Sequence, residues 1–223
     1  MNVSDVSPEF FERLAQRKVQ GDSAARMAAI DVQMTPAWKA SMTDRLRAVD
    51  VMAASPRSKL WKIYGILDEV NALKQPYAAC KAGCSACCHI QVEISDREAQ
   101  RIGAAVGRKP APLPSGRLTT PTEQLGRVET PCPFLVENNC SIYADRPYVC
   151  REMTVLDRDA LACSFENMAL ARVDDERVLG VPQAKVPPVA EAHARVVVHP
   201  NMTLADIRQF FPAADQATRA GHT

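Results

Sequence analysis

Four of the eight cysteines fall within nine positions, at Cys80, Cys84, Cys87 and Cys88, and the others follow at Cys132, Cys140, Cys150 and Cys163. Thiolates bind zinc and the iron of iron–sulfur clusters, and ligands grouped on short segments need little chain ordering before they converge. The first group reads C-x3-C-x2-C-C, which brings several sulfurs into a single loop, and Gly83 permits a tight turn among them. Adjacent residues point in different directions, so Cys87 and Cys88 either serve two ions or divide into a ligand and a supporting group. This pattern predicts a cysteine-ligated metal site.

An even cysteine count also suits a disulfide framework, which belongs to oxidising compartments and to chains much shorter than these 223 residues. The first stretch, MNVSDVSPEFFERLAQRK, lacks the continuous apolar core of a secretory signal, and no apolar run approaches the roughly 20 residues that cross a bilayer. The expectation is a cytoplasmic protein with reduced thiols and no membrane contact. Lys and Arg number 27 against 26 Asp and Glu, so no basic excess marks a nucleic-acid track, whereas a protein partner stays open. There is no Ser/His/Asp order, no HExxH and no phosphate loop, so no catalytic residue is assigned.

The elements around the thiols read as helices. Ser7 and Pro8 cap and start one that carries Phe10, Phe11 and Leu14. Thr35 and Pro36 repeat the signal for a long amphipathic helix through Trp38, Met42, Leu46, Val49 and Met52. After a break near Pro56, Leu60, Ile63, Tyr64, Leu67 and Val70 continue the period to about Gln75, with Trp61 and Ile66 widening the apolar surface. Ser95 and Glu98 form a capping box for a helix with Ala99, Ile102 and Val106, and Gly107 ends it. The first cysteine group thus lies between two helices. Pro110, Pro112, Pro114, Pro121, Pro131 and Pro133 predict a loop or linker between Lys109 and Pro133. Arg195–His199 reads as a strand, and Thr203 with Asp206 as the cap of a helix through Ile207, Phe210 and Phe211.

Around the second thiol group stand C-P-F-L from Cys132, C-x-I-Y from Cys140 and R-P-x-x-C-R from Arg146 to Arg151. With the first group, these resemble the YkgJ family of cysteine-cluster proteins, whose CxxCxxCC-like domain is described as zinc- or iron-chelating. The resemblance covers about Cys80 to Arg151. It implies metal ligation by Cys80, Cys84, Cys87, Cys88, Cys132, Cys140 and Cys150, with Cys163 a neighbouring candidate that could equally be a core thiol. His89 is a further candidate donor. Arg146 and Arg151 are placed either to offset thiolate charge or to make ion pairs. Pro147 sets the turn that presents Cys150, and Tyr143 and Tyr148 read as packing residues.

C-x3-C-x2-C is also the cluster loop of radical SAM enzymes, but Ser85 stands where those enzymes favour an aromatic, and the strand and helix repeat of their barrel is lacking. A flagellin lysine N-methylase carries a similar cysteine domain and remains the enzyme-class alternative, although no glycine-rich nucleotide loop is present to hold a methyl donor. The expected fold is mainly α: a small helical domain with two cysteine-rich loop segments closed around a metal centre. Residues 1–76 are expected to form a helical region, 77–165 the metal-binding domain and 166–223 an extension packed on it. The expected cofactor is an iron–sulfur cluster or zinc. The grouped first loop and the proline after Cys132 favour iron–sulfur ligation, whereas eight thiols also suffice for two four-thiolate zinc ions. The expected role is structural, electron-transferring or metal-handling.

Overall fold

The computed structural model describes residues 3–119 and 130–213; Pro121 of the proline-rich stretch lies outside them. The chain is mainly α. Its first four helices are α1 (Pro8–Gln20), α2 (Ser23–Gln33), α3 (Pro36–Val51) and α4 (Pro56–Lys74). Three of these start as the sequence dictates, with Ser7, Thr35 and Ser55 accepting a hydrogen bond from an N–H of the first turn and proline at the first helical position. No strong cap announces α2, since Asp22 gives its side chain to Arg26 instead of to the backbone.

The main core forms where α3 and α4 meet α8 (Pro187–Val197). Met42, Leu46 and Val49 of α3, Leu60, Ile63, Leu67 and Val70 of α4, and Val189, Ala192 and Val196 of α8 pack into one buried cluster. Arg195–Val197, expected as part of a strand, are therefore helical. Val196 continues the helical spacing of Val189 and Ala192 in the cluster shared with α3 and α4, and tertiary burial overrides the local strand preference. Trp61 also departs from expectation: it is 63% exposed, with the Arg101 guanidinium 5.4 Å from its ring centroid.

A small sheet sits against a second buried cluster. Strand β1 (Glu93–Ser95) runs antiparallel to β5 (Thr203–Asp206), and β2 (Gly116–Arg117) joins the other side of β5 in parallel. Thr203 is thus a strand residue and no helix cap. Asp206 takes that role, closing a capping box with Gln209 for α9 (Ile207–Phe210). The Ser95–Glu98 box is formed as expected, and Gly107, in the left-handed region at φ 68°, ends α5 (Asp96–Val106). Ile94, Ala99, Ile102, Ala205, Ile207 and Phe211 from these elements make the apolar floor beneath the second cysteine segment.

Candidate metal centre

The first thiol group occupies the irregular chain between α4 and β1. Gly83 takes φ 82°, a conformation that favours glycine, and Cys84 N–H donates to Lys81 carbonyl at 3.0 Å to close the turn. A 3-10 turn over Ala86–His89 then carries Cys87 and Cys88, with Cys88 N–H bonded to Ser85 carbonyl at 2.8 Å. The Cys88 carbonyl receives two donors from elsewhere, Cys132 N–H at 2.7 Å and Arg208 Nη2 at 2.8 Å.

The second group is mounted on a hairpin and a short helix. Strands β3 (Leu135–Val136) and β4 (Asn139–Cys140) are joined by Glu137 and Asn138, at φ 48° and 60°. Two left-handed residues match the twist of a tight hairpin, and Asn tolerates that conformation well. The hairpin places Cys140 opposite Leu135, whose N–H bonds back to Cys132 carbonyl at 2.9 Å. Cys150 lies in α6 (Tyr148–Glu152), entered through Pro147. Cys163 ends a 3-10 turn over Leu161–Cys163, just before α7 (Phe165–Arg172).

All eight thiols are half-buried, and none is in a disulfide. Several act electrostatically on one another. Cys163 is influenced by Cys80, Cys84 and Cys87, and burial pushes its thiol up to about 12. Cys150, raised well above the usual thiol range by burial, is influenced by Cys87, Cys132 and Cys140. Burial likewise lifts Cys132 to about 11 and raises Cys80 and Cys140. Cys87 goes the other way because the neighbouring Cys88 thiol donates to it, and that donation holds Cys88 in its neutral form. These influences link thiols of the first loop with those of the second segment. Among the described residues, no three His, Cys, Asp or Glu side chains are already disposed to hold a metal ion.

The two arginines of the R-P-x-x-C-R motif have separate roles. Arg151 is buried and gives both Asp68 carboxylate oxygens a hydrogen bond, at 2.7 and 2.6 Å, while its remaining donors reach the Arg146 and Ala144 carbonyls. It is a clamp between α4 and the turn before Cys150. Arg146 stacks on Tyr143 at 3.8 Å from the ring centroid, and its positive charge favours the thiolate forms of Cys80, Cys87 and Cys140. His89 sets its ring edge-on against Phe165, 5.2 Å between centroids. Tyr148 packs as expected, stacked on His193 at 4.3 Å, while Tyr143 is exposed.

Sequence reading missed three supports of this region. Arg208 pins Cys88 and, through a 2.7 Å bond to Thr130 carbonyl, the approach to Cys132. It lies in a tail without a motif. Val155 N–H donates to Cys80 Sγ at 3.4 Å, a backbone contact that side-chain identity does not signal. Glu98, read only as a capping-box residue, also accepts from Tyr64 hydroxyl at 2.8 Å and from Tyr148 N–H at 2.9 Å, binding α4, α5 and α6 together. His193 Nε2 lies 3.2 Å from Glu98 Oε1, off the line of a hydrogen bond. Burial pushes the Glu98 carboxyl up, yet its contact with His193 and the backbone donors hold it at about 2.

With this arrangement in view, comparison with known proteins gives one positive result. Residues 79–169 match the CxxCxxCC family model, described as a "putative zinc- or iron-chelating domain". All eight cysteines fall within the match. No curated protein and no solved structure matches the chain. Among the described residues, no helix is long and apolar enough to cross a membrane.

Proposed function

We propose that this chain is a metal-binding protein of the YkgJ type, in which cysteines from the first loop, the hairpin, α6 and the Leu161–Cys163 turn hold zinc or iron in a reducing compartment. The observation that carries the reading is that eight unbridged thiols, on segments that influence one another electrostatically, all fall within the zinc- or iron-chelating match. The donor set fits. Soft thiolates select zinc and iron–sulfur centres, and half-burial limits the competing hydration of a bound ion. When bound, an iron–sulfur cluster would supply one-electron chemistry, and zinc would supply folding free energy.

Between the two, we favour an iron–sulfur centre. Only Cys84 and Cys87 show the C-x2-C pairing usual in structural zinc sites, and the grouped loop followed by C-P at Cys132 resembles cluster ligation more closely. Anaerobically purified protein tests this directly. Iron with acid-labile sulfide and visible absorbance supports the cluster; stoichiometric zinc without colour supports metal binding and overturns the cluster. Protein that carries neither and takes up neither overturns both.

A further inference from the structure

The eight thiols are divided by what they pack against. Cys80 and Cys163 lie on the small apolar cluster of Ala79, Val155 and Ala162. Cys132, Cys140 and Cys150 lie on a different cluster, which includes Phe134, Ile142 and Phe211. Backbone bonds follow the same division. Val155 carbonyl receives Ala79 N–H at 2.8 Å, and Val155 N–H donates to Cys80 Sγ, so Cys80 is fixed to the floor that it shares with Cys163. Cys132 N–H instead bonds to Cys88 carbonyl, which fixes Cys88 beside the second set. Cys87 stands at the junction: its thiol accepts from Cys88, and its charge reaches Cys163 on one side and Cys140 and Cys150 on the other.

We propose that the chain builds two four-thiolate centres, one from Cys80, Cys84, Cys87 and Cys163 and the other from Cys88, Cys132, Cys140 and Cys150, meeting at the peptide between Cys87 and Cys88. The inference rests on the metal-binding reading above. Four thiolates satisfy either a zinc ion or an iron–sulfur cluster, so the division does not depend on which metal is held. It gives Cys163 a definite role as the fourth donor of the first centre. It also gives the paired Cys87 and Cys88 a reason: their thiols touch where the two sets adjoin, and each set takes one of the pair. Each thiol loses its proton as it ligates, so two anionic centres would stand side by side. Arg146 lies where its charge reaches both, acting on Cys80 and Cys87 of one set and on Cys140 of the other. In this structure the donors are not yet in ligating positions. Cys80, Cys84 and Cys163 lie on loops and 3-10 turns, which can be drawn in without breaking a long helix.

The test is a count. Native mass spectrometry with elemental and sulfide analysis is applied to the full chain, purified anaerobically, and to Cys163→Ser and Cys140→Ser. The expected result is two centres in the parent chain and one in each variant, so that each substitution halves the metal content. A single centre in the parent chain, or two centres that either substitution empties together, would overturn the division while leaving metal binding standing. A parent chain that holds no metal and takes up none would overturn metal binding as well. Should a variant fail to fold, the parent chain decides: two centres per chain support the division, and one refutes it.

Discussion

Arg146 and Arg151 stand five positions apart in one motif and do different work. Arg151 is satisfied by Asp68 and by backbone carbonyls, so it holds structure. Arg146 instead directs charge at thiols in both cysteine segments. Groups that tune a metal site from outside its ligand shell typically change affinity by roughly 10- to 100-fold when removed. Arg146→Gln is therefore expected to weaken metal retention by at least about tenfold, with Arg146→Lys retaining part of it, as read by competition with a chelator. Circular dichroism should show both variants folded. The thiols add a pH dependence. Cys132 at about 11 and Cys163 at about 12 are protonated at neutral pH without metal. Ligation must expel those protons, so affinity should rise with pH across the neutral range, and metal uptake in weakly buffered solution should acidify it. Uptake without proton release would show that these two thiols are not ligands.

At the scale of elements, the helix that follows the first thiol loop is anchored by more than its cap. Glu98 receives donors from α4 and α6 as well as from its own first turn. Replacing it by Ala strands a buried Tyr64 hydroxyl and the Tyr148 N–H, each of which costs about 1–3 kcal/mol when left unpaired. Glu98→Ala should thus lose about 3 kcal/mol or more of stability, measured by urea unfolding of metal-loaded protein. Ser95→Ala, which removes the cap alone, should lose about 1 kcal/mol. This difference also marks how far sequence could be read. Cap chemistry is local, so Ser7–Pro8, Thr35–Pro36 and Ser95–Glu98 announced their helices correctly. The strand expected at Arg195–His199 failed because Val196 and Val197 satisfy either period, and only the partner surface on α3 and α4 decides between them. Glu98's second role depends on Tyr64 and Tyr148, which are 34 and 50 positions away.

At the scale of the molecule, the helical core and the thiol region rest on different apolar clusters. Removing metal should loosen the chain from Cys80 to Cys163 while the contact among α3, α4 and α8 keeps its protection. Hydrogen exchange with and without chelator checks this, and uniform loss of protection across both regions would contradict it. The candidate donors were legible because thiol spacing is a linear signal. Which apolar cluster each thiol packs on was not, since the common floor of Cys80 and Cys163 depends on Val155 returning to Ala79, a contact that links positions far apart in the chain.

The order of the two proposed thiol sets along the chain is nested: all four members of the second lie between Cys87 and Cys163 of the first. Closing the outer set on a loosened chain means joining ends about 75 residues apart, at an entropic cost that grows with the logarithm of that length. Once the inner set has closed, Cys88 and Cys150 are held together, and only about a dozen residues separate Cys150 from Cys163. The shortened path lowers the closure cost by about 1.5 kcal/mol, or roughly tenfold in affinity, without any new contact. Loading is then cooperative by topology alone, with the inner centre filling first and the outer one acting as a latch. Cys140→Ser should weaken metal binding by the outer thiols about tenfold even though Cys140 never touches that metal. By reciprocity, Cys163→Ser should weaken the inner set by the same factor. Sequential metal titrations of the two variants read both numbers.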